Sequence, residues 1–510
     1  MELLEKLDAD CQENSVPGLL ALLLRSEGEV AARAAATLEQ MAKTSNSLEI
    51  ARIDASVRQM SEYTLGEIEI RDVDFLSHGL PGALGFLSCH PSGFIRESAV
   101  RSLSKLSSGR ELPFLMIRVN DWVSQVREVA KCAVLDRIRP EYAPYFIKYL
   151  RLVFRLEGQS RQDHREVTEP VFRLLRAPEC RQALLNGMSD PDRHNRRAVY
   201  RMILSTSGIP SDAIDPGLRS DDTVIRLIAA REARVRLEGQ ALDDMLLVMR
   251  SDRFMPVRRE ALYGYVERRS HLVSTEFQAS LFDPHPSIRE TARFYLQKLG
   301  MFDFAKMYRE RLDSTDADTM AISIAGLGET GGVEDALRLD RFLGHPSARV
   351  RKAAIRSLGH IDPERHFDQF LTALTDNAAG VARAARDILR QHLYYMLRPK
   401  PLWKLIESAN ETHSRRMILT LINRLAWWDS APMLVAAADT GDEEITQCAL
   451  GHLKKWRSNL HRLSVRPSHE QITLLEDACR RHGSKLDEAT LKDLEAHISY
   501  AKRESRGCDV

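Results

Sequence analysis

The chain has 510 residues, 44% hydrophobic and 28% charged, which is the make-up of a folded globular protein of several domains' length. Disordered, collagenous and membrane-embedded classes are thereby excluded as whole-chain descriptions. With 73 basic against 72 acidic residues the formal charge is +1, so no global field announces a nucleic-acid or membrane partner. Aromatics are only 6%, which favours helix over sheet, and 15 of the basic residues are Lys against 58 Arg. That bias suits ion-pair ladders and recognition better than simple solubility.

Taken in chain order, residues 1–80 read as an N-terminal cap that is helical near 17–42. Glu67 to Val73 alternates like an extended link. Met1 to Lys6 carries charge at once and lacks the apolar stretch of a signal peptide. The run Leu19 to Leu24 is too short for a membrane span, so no span and a cytoplasmic location are expected. The seven cysteines, at 11, 89, 132, 180, 448, 479 and 508, are scattered and form no C-x-x-C. Neither a disulfide framework nor a structural zinc site is expected. Cys132 and Cys448 sit among apolar helical residues and read as small core side chains.

Residues 81–465 carry a repeat. An apolar residue followed by Arg recurs at 95, 126, 225, 257, 288 and 350, and Val381-Ala382 continues the series. The spacings are 31, 99, 32, 31, 62 and 31. The gap of 62 is two periods, with a degenerate copy at Asp316–Gly328. In the gap of 99, Asn195-Arg196 fills one slot, and the surplus fits a loop around Gln159–His164. Each copy predicts two short amphipathic helices. In one of them Val350, Ala353, Ala354 and Leu358 form the apolar stripe. A single pair cannot bury its own face, so neighbours must stack. Asp, Asn or Pro-Ser before the second helix caps its free amides. Beyond the repeat, Ser468 with Gln471 forms a capping box, and a last helix over about Asp487–Ser505 closes the C-terminal cap, 466–510.

This pattern resembles the HEAT-repeat family, and within it the short repeats named after phycobiliprotein lyases, over about three quarters of the chain. The resemblance implies an all-α, right-handed α-solenoid of about eleven to thirteen helix pairs. It is nearly silent on function, because the family includes scaffolds, lyases, glycosylases and hydroxylases. Hydroxylases of the deoxyhypusine type use several His-Glu pairs around iron, and only His469-Glu470 occurs here. Glycosylases of the alkylpurine type use aromatics and an Asp, for which Trp427, Trp428 and Asp429 offer a counterpart.

Other candidates have plain structural readings. Gly326 to Gly331 spells G-x-G-x-x-G, but a helix rather than a strand precedes it, so the glycines suit a helix C-terminus. His90, His285 and His345 each precede Pro-Ser and mark helix starts. The arginines of the repeat (Arg96, Arg127, Arg226, Arg258, Arg289, Arg351) are expected to pair with acids of their own or the next turn, such as Asp222, Asp252 and Asp283. As exposed pairs they would contribute roughly 0–1 kcal/mol each.

The functional lead is C-terminal, where Trp403, Trp427, Trp428 and Trp456 lie. Arg390 to Lys404 and His452 to Arg462 each hold four Lys or Arg and no acid. Arg398, Lys400, Trp403, Lys404, Lys454, Lys455, Trp456 and Arg457 are expected to share one face that binds an acidic partner. The expected function is a non-enzymatic scaffold or adaptor that binds another protein, with no catalytic, cofactor or metal residue assigned. The alternative is a nucleic-acid-binding protein with alkylpurine-glycosylase-like chemistry.

Overall fold

The computed structural model describes residues 15–26, 28–60, 80–159, 163–204, 211–268, 273–300, 302–457 and 466–506. Among these every regular element is a helix, and the chain divides into two compact units, Met1–Arg268 and Arg269–Val510. The segment Glu67 to Val73 lies outside the described residues.

In the first unit α1 (Val16–Arg25), α2 (Glu29–Thr44) and α3 (Ser47–Arg58) precede two helix pairs, α4 (Pro81–Leu87) with α5 (Gly93–Ser104) and α6 (Leu112–Arg118) with α7 (Ser124–Leu135). Next come α8 (Ala143–Lys148), α9 (Leu150–Glu157) and α10 (Arg165–Arg176). Three more pairs follow: α11 (Arg181–Gly187) with α12 (Arg193–Leu204), α13 (Ser211–Leu218) with α14 (Thr223–Arg236), and α15 (Gly239–Arg250) with α16 (Met255–Glu267). Among its described residues the second unit holds seven pairs: α17 (Val273–Ser280) with α18 (Pro286–Leu299), α19 (Phe304–Arg309) with α20 (Ala317–Thr330), α21 (Val333–Leu339) with α22 (Ala348–Ile361), α23 (Phe367–Ala373) with α24 (Ala379–Gln391), α25 (Pro399–Ser408) with α26 (Thr412–Ile422), α27 (Trp427–Ala437) with α28 (Glu443–Arg457), and α29 (His469–His482) with α30 (Glu488–Arg506).

Within each unit this is an all-α solenoid of HEAT-like helix pairs. Each second helix from α20 to α30 packs on the second helix of the next pair, and α25, α27 and α29 form the opposite layer. The apolar stripe dictates the packing: in α22, Val350, Ala354, Ile355 and Leu358 are buried, while Ala353, expected in the stripe, is half-exposed. The surplus between Val126 and Asn195 is not only a loop. It includes α9, whose Leu150, Leu152, Val153 and Leu156 are buried, because four apolar residues at helical spacing demand cover. The cysteine reading is also corrected. Cys132 is exposed and Cys448 half-buried, whereas Cys89 and Cys180 are buried.

The repeat arginines do more than the expected surface ladder. In each case Nη1 donates backward to the main chain of its own turn. Arg96 reaches the carbonyls of His90 (3.0 Å) and Pro91 (2.6 Å). Arg226 reaches those of Ser220 (2.8 Å) and Asp221 (3.2 Å), and Arg351 those of His345 (2.8 Å) and Pro346 (3.0 Å). Arg127, Arg196 and Arg258 repeat the contact. In three of them, Arg96, Arg226 and Arg351, the rest of the guanidinium grips a carboxylate 25 or 26 residues on, at the next repeat's turn, and in a fourth turn the neighbouring Arg197 holds Asp222 instead. Arg96 holds Asp121 (3.1 and 3.0 Å), Arg226 holds Asp252 (2.8 and 3.2 Å), and Arg351 holds Asp376 (2.7 and 2.8 Å). Each of these aspartates also caps its own turn, accepting from Val123, Phe254 and Ala378 amides respectively.

These pairs are not exposed: Arg96 is 0% exposed, Asp121 1% and Arg226 4%. Burial alone would raise the Asp121 carboxyl, but the hydrogen bonds from Arg96 and the charges of Arg118 and Arg58 outweigh it and hold it below the usual range. Arg58 and Asp54 of α3 join the same buried cluster through Asp121 and Arg118, fastening the N-terminal helices to the stack.

The ladder changes at the degenerate copy. Arg289 turns instead to Glu329, at the end of α20. Gly331 caps the C-terminus of α20, as expected, whereas Gly326 and Gly328 lie within its last turns and serve close packing. A Cβ on Gly326 would sit 2.2 Å from the Tyr308 ring, and one on Gly328 would sit 2.8 Å from the Ser357 Cα. Gly326 admits the Tyr308 ring of α19 and Gly328 lets α20 and α22 touch, where Ser357 Oγ donates to the Ile324 carbonyl at 2.9 Å.

Leu358 is fully buried, so Leu358→Ala should cost about 2–5 kcal/mol, read from urea unfolding. Asp252→Ala strands a buried guanidinium and should cost about 3–5 kcal/mol. The effects of Asp252→Ala and Arg226→Met should fail to add by at least about 1 kcal/mol, and additive values would show that the clasp is not a coupled unit.

Candidate partner-binding site

The two basic runs expected to share a face fall in different layers. Arg398 precedes α25, and its guanidinium donates to the carbonyls of Tyr395 and Leu397, both at 2.9 Å. Lys400 is exposed, 3.8 Å from Glu470, and Lys404 is exposed on the same helix. Lys454 and Lys455 are exposed on α28, whose last residue is Arg457, with a side chain outside the described residues. Helix α25 belongs to the layer with α27 and α29, and α28 to the layer with α26 and α30. The first run opens the first helix of a pair and the second closes a second helix, so nearness in sequence does not bring them together.

The tryptophans fill the end of the core. Trp456 is 8% exposed and stacks on Trp427 at 4.6 Å between centroids, 19° off parallel. Trp428 meets Trp427 edge-on at 4.6 Å, and His497 of α30 closes over Trp456 at 5.5 Å. Trp456 is therefore no exposed anchor, because α30 covers it; Trp403 is half-buried. The glycosylase-like reading loses its geometry as well. Asp429 accepts from Gln471 Nε2 at 2.7 Å, and its neighbouring indoles pack on protein rather than flank an open base pocket. Among the described residues no group of three His, Cys, Asp or Glu is placed to hold a metal.

The three His-Pro-Ser turns behave as helix starts. Nδ1 of His90, His285 and His345 accepts the amide of Ser92 (3.0 Å), Ser287 (3.2 Å) and Ser347 (3.1 Å). An imidazole thus does the work of a capping carboxylate, and only its neutral form can accept. Burial, then the nearby Arg96 charge, pushes His90 down to about 4.

What sequence reasoning passed over lies just upstream of Arg398. Arg390 and Gln391 at the end of α24, Tyr394 in the following 3-10 turn (Tyr394–Met396), and Arg424 beyond α26 surround an open cavity of about 690 Å³. Tyr394 and Tyr395 are 58% and 52% exposed. The Tyr395 hydroxyl bonds Glu364, which pushes that phenol up from its usual range. All four lining side chains can donate hydrogen bonds, and two carry fixed positive charge. The signal was present as the acid-free run from Arg390, but nothing in it showed that Arg424 of the next pair completes the wall.

No protein-family model and no curated protein matches the sequence. Among solved structures the chain is similar to Kap95p described with RanGDP, at 12% identity and TM-score 0.38, covering 96% of this chain and 67% of that one. It is also similar to Kap121p (12%, TM-score 0.33, 97% and 66%) and to importin beta (13%, TM-score 0.30, 96% and 77%). The chain spans about two thirds of the length of the first two.

Because His90 is held neutral in the folded state, protonation favours unfolding. Its contribution is complete above the ordinary value of 6.5 and is lost as pH falls toward about 4. His90→Asn keeps an acceptor for Ser92 and should flatten the decline in unfolding free energy between pH 6.5 and 4, measured by urea titration at several pH values. An unchanged slope would remove His90 from the pH response.

Proposed function

We propose that this chain is a non-enzymatic scaffold or adaptor that binds a protein partner on the surface of its helix stack. The observation that carries the reading is the open cavity walled by Arg390, Gln391, Tyr394 and Arg424, with Tyr395 exposed beside it. Tyr and Arg dominate binding energy at protein interfaces, since each combines a large apolar or planar surface with directed hydrogen bonds. Here they project from helix ends, and the stack behind them is pinned by the part-buried Arg351–Asp376 pair, so little ordering is required on binding. On the same reading the repeats are of the short phycobiliprotein-lyase type, and residues 1–80 and 466–510 act as caps around the stack. A cytoplasmic location accords with five described cysteines that are all free thiols. Among the described residues no helix is long and apolar enough to cross a membrane.

The test is affinity capture by the full chain with and without nuclease, beside a Tyr394→Ala/Arg424→Ala variant. Wild type should retain one protein whether or not nuclease is present. The variant should lose that protein by tenfold or more at an unchanged melting temperature, because both side chains are largely exposed. Nuclease-sensitive capture, or equal capture by the variant, would refute the reading.

A further inference from the structure

The second unit also carries cations that its ladder leaves unneutralised. Lys352 and Arg356 lie one turn apart on α22, and Arg383 faces them from α24, the next helix of the same layer. Arg356 and Arg383 are exposed and Lys352 is half-buried. Among the described residues none of the three has a carboxylate within ion-pair distance, although Arg351, one residue before Lys352, is fully engaged with Asp376. The Lys352 side chain runs against the first turn of α24. The point a Cβ on Gly380 would occupy is 3.8 Å from Lys352 Cδ and 4.0 Å from its Nζ. A cation there opposes the positive end of the helix dipole. The Arg356 charge, then burial, then the Arg383 charge lower the Lys352 ammonium below its usual range. The free protein thus holds three like charges together without internal compensation. Paired charges bound the cluster: Arg349 meets Asp318 on one side and Arg416 meets Glu444 on the other.

Two helical turns further along α24, on the side that carries Arg383, comes Arg390 at the cavity described above. Between them Asp387 is taken by Arg386 at 2.6 Å and stands 4.0 Å from Arg390. We infer that Lys352, Arg356 and Arg383 form, with the Arg390–Arg424 cavity, a stripe that receives an acidic, extended peptide segment of the partner protein. The inference rests on the scaffold reading and names the chemistry of its partner. The span supports a peptide. Two turns of α24 are about 10 Å, and one helix spacing adds about 8–10 Å, so the stripe measures roughly 15–20 Å. That is the reach of about five or six extended residues. Alternate side chains of such a segment point the same way about every 7 Å, so two or three Glu or Asp can meet the cations while intervening residues clear Asp387. A phosphodiester chain, charged at every nucleotide, would instead run onto Asp387 within the stripe and onto Asp318 and Glu444 at its borders.

The experiment is fluorescence anisotropy with fluorescein-labelled hexaglutamate and the full chain in about 50 mM salt, where exposed charges are weakly screened. Wild type should bind, and Arg356→Glu/Arg383→Glu should weaken binding tenfold or more. Lys404→Glu, on α25 of the opposite layer, should change it less than twofold. Lys352→Ala should weaken binding several-fold while leaving the melting temperature unchanged or higher, because it relieves repulsion. Equal binding by the double variant, or a lower melting temperature for Lys352→Ala, overturns the inference. Tighter binding of a labelled 12-residue oligothymidylate, lost in the same double variant, would also overturn it by giving the stripe to nucleic acid. The two readings fail separately. Partner capture that survives Arg356→Glu/Arg383→Glu leaves the scaffold standing and removes the stripe. Hexaglutamate binding that the double variant abolishes, without any nuclease-resistant partner for wild type, keeps the stripe and removes the scaffold.

Discussion

The structure depends on one arrangement of three groups: an arginine near the start of a second helix, the main-chain carbonyls of the turn before it, and an aspartate at the next turn. Each arginine has five N–H donors in a rigid fork, and the clasp uses both edges of that fork. One edge ties the turn to its own helix; the other ties it to the neighbouring repeat. The turns between helices are where main-chain groups would otherwise lie unsatisfied under cover of the next pair. The clasp satisfies them with charge-assisted bonds and so allows the turns to be packed rather than solvated.

Much of this was legible in the sequence, because the motif is local and recurs at a fixed interval. The period, the helix pairs, the His-Pro-Ser starts and the Ser468–Gln471 capping box all follow from patterns a few residues long, and Asp252, one of several acids expected to meet the repeat arginines, is the one that holds Arg226. The depth of the clasp was not legible. Whether an ion pair is buried depends on what lies over it, and for Arg96 that cover includes α3, nearly forty residues upstream. Layer membership was equally hidden. The candidate residues on α25 and α28 are about fifty positions apart, yet whether a helix comes first or second in its pair decides which side it occupies. Of the glycines near the end of α20, Gly331 is the helix end that its type suggests, but a spacing of G-x-G does not distinguish such an end from the close approach that Gly326 and Gly328 serve.

Where the ladder lapses, cations reach the surface. Val381 is followed by Ala382 rather than Arg, so Asp376 has no arginine behind it in its own repeat, and its carbonyl accepts from His413 Nε2 instead. The arginines of α24 are therefore not drawn into the turn. Arg383 and Arg390 stay on the surface, beside a lysine and an arginine of α22 that are likewise surplus to the clasp. The arginines, 58 against 15 lysines, thus serve two ends: fastening between repeats at Arg96, Arg226 and Arg351, and an outward charge on α24, whose repeat has Ala382 in place of the clasp arginine.

The clasp also acts as a ruler. From guanidinium to carboxylate the interval is 25 or 26 residues in each of the pairs Arg96–Asp121, Arg226–Asp252 and Arg351–Asp376. One added residue within a helix of that interval would rotate everything beyond it by about 100° and swing the aspartate out of reach. Variation in repeat length is thereby confined to places no clasp spans. The chain's own surplus, α8 and α9 with the segment before α10, follows Arg127, which among the described residues has carbonyl partners but no carboxylate. Insertions engineered into this protein should be tolerated there, and should be rejected anywhere an arginine is already counting to its aspartate.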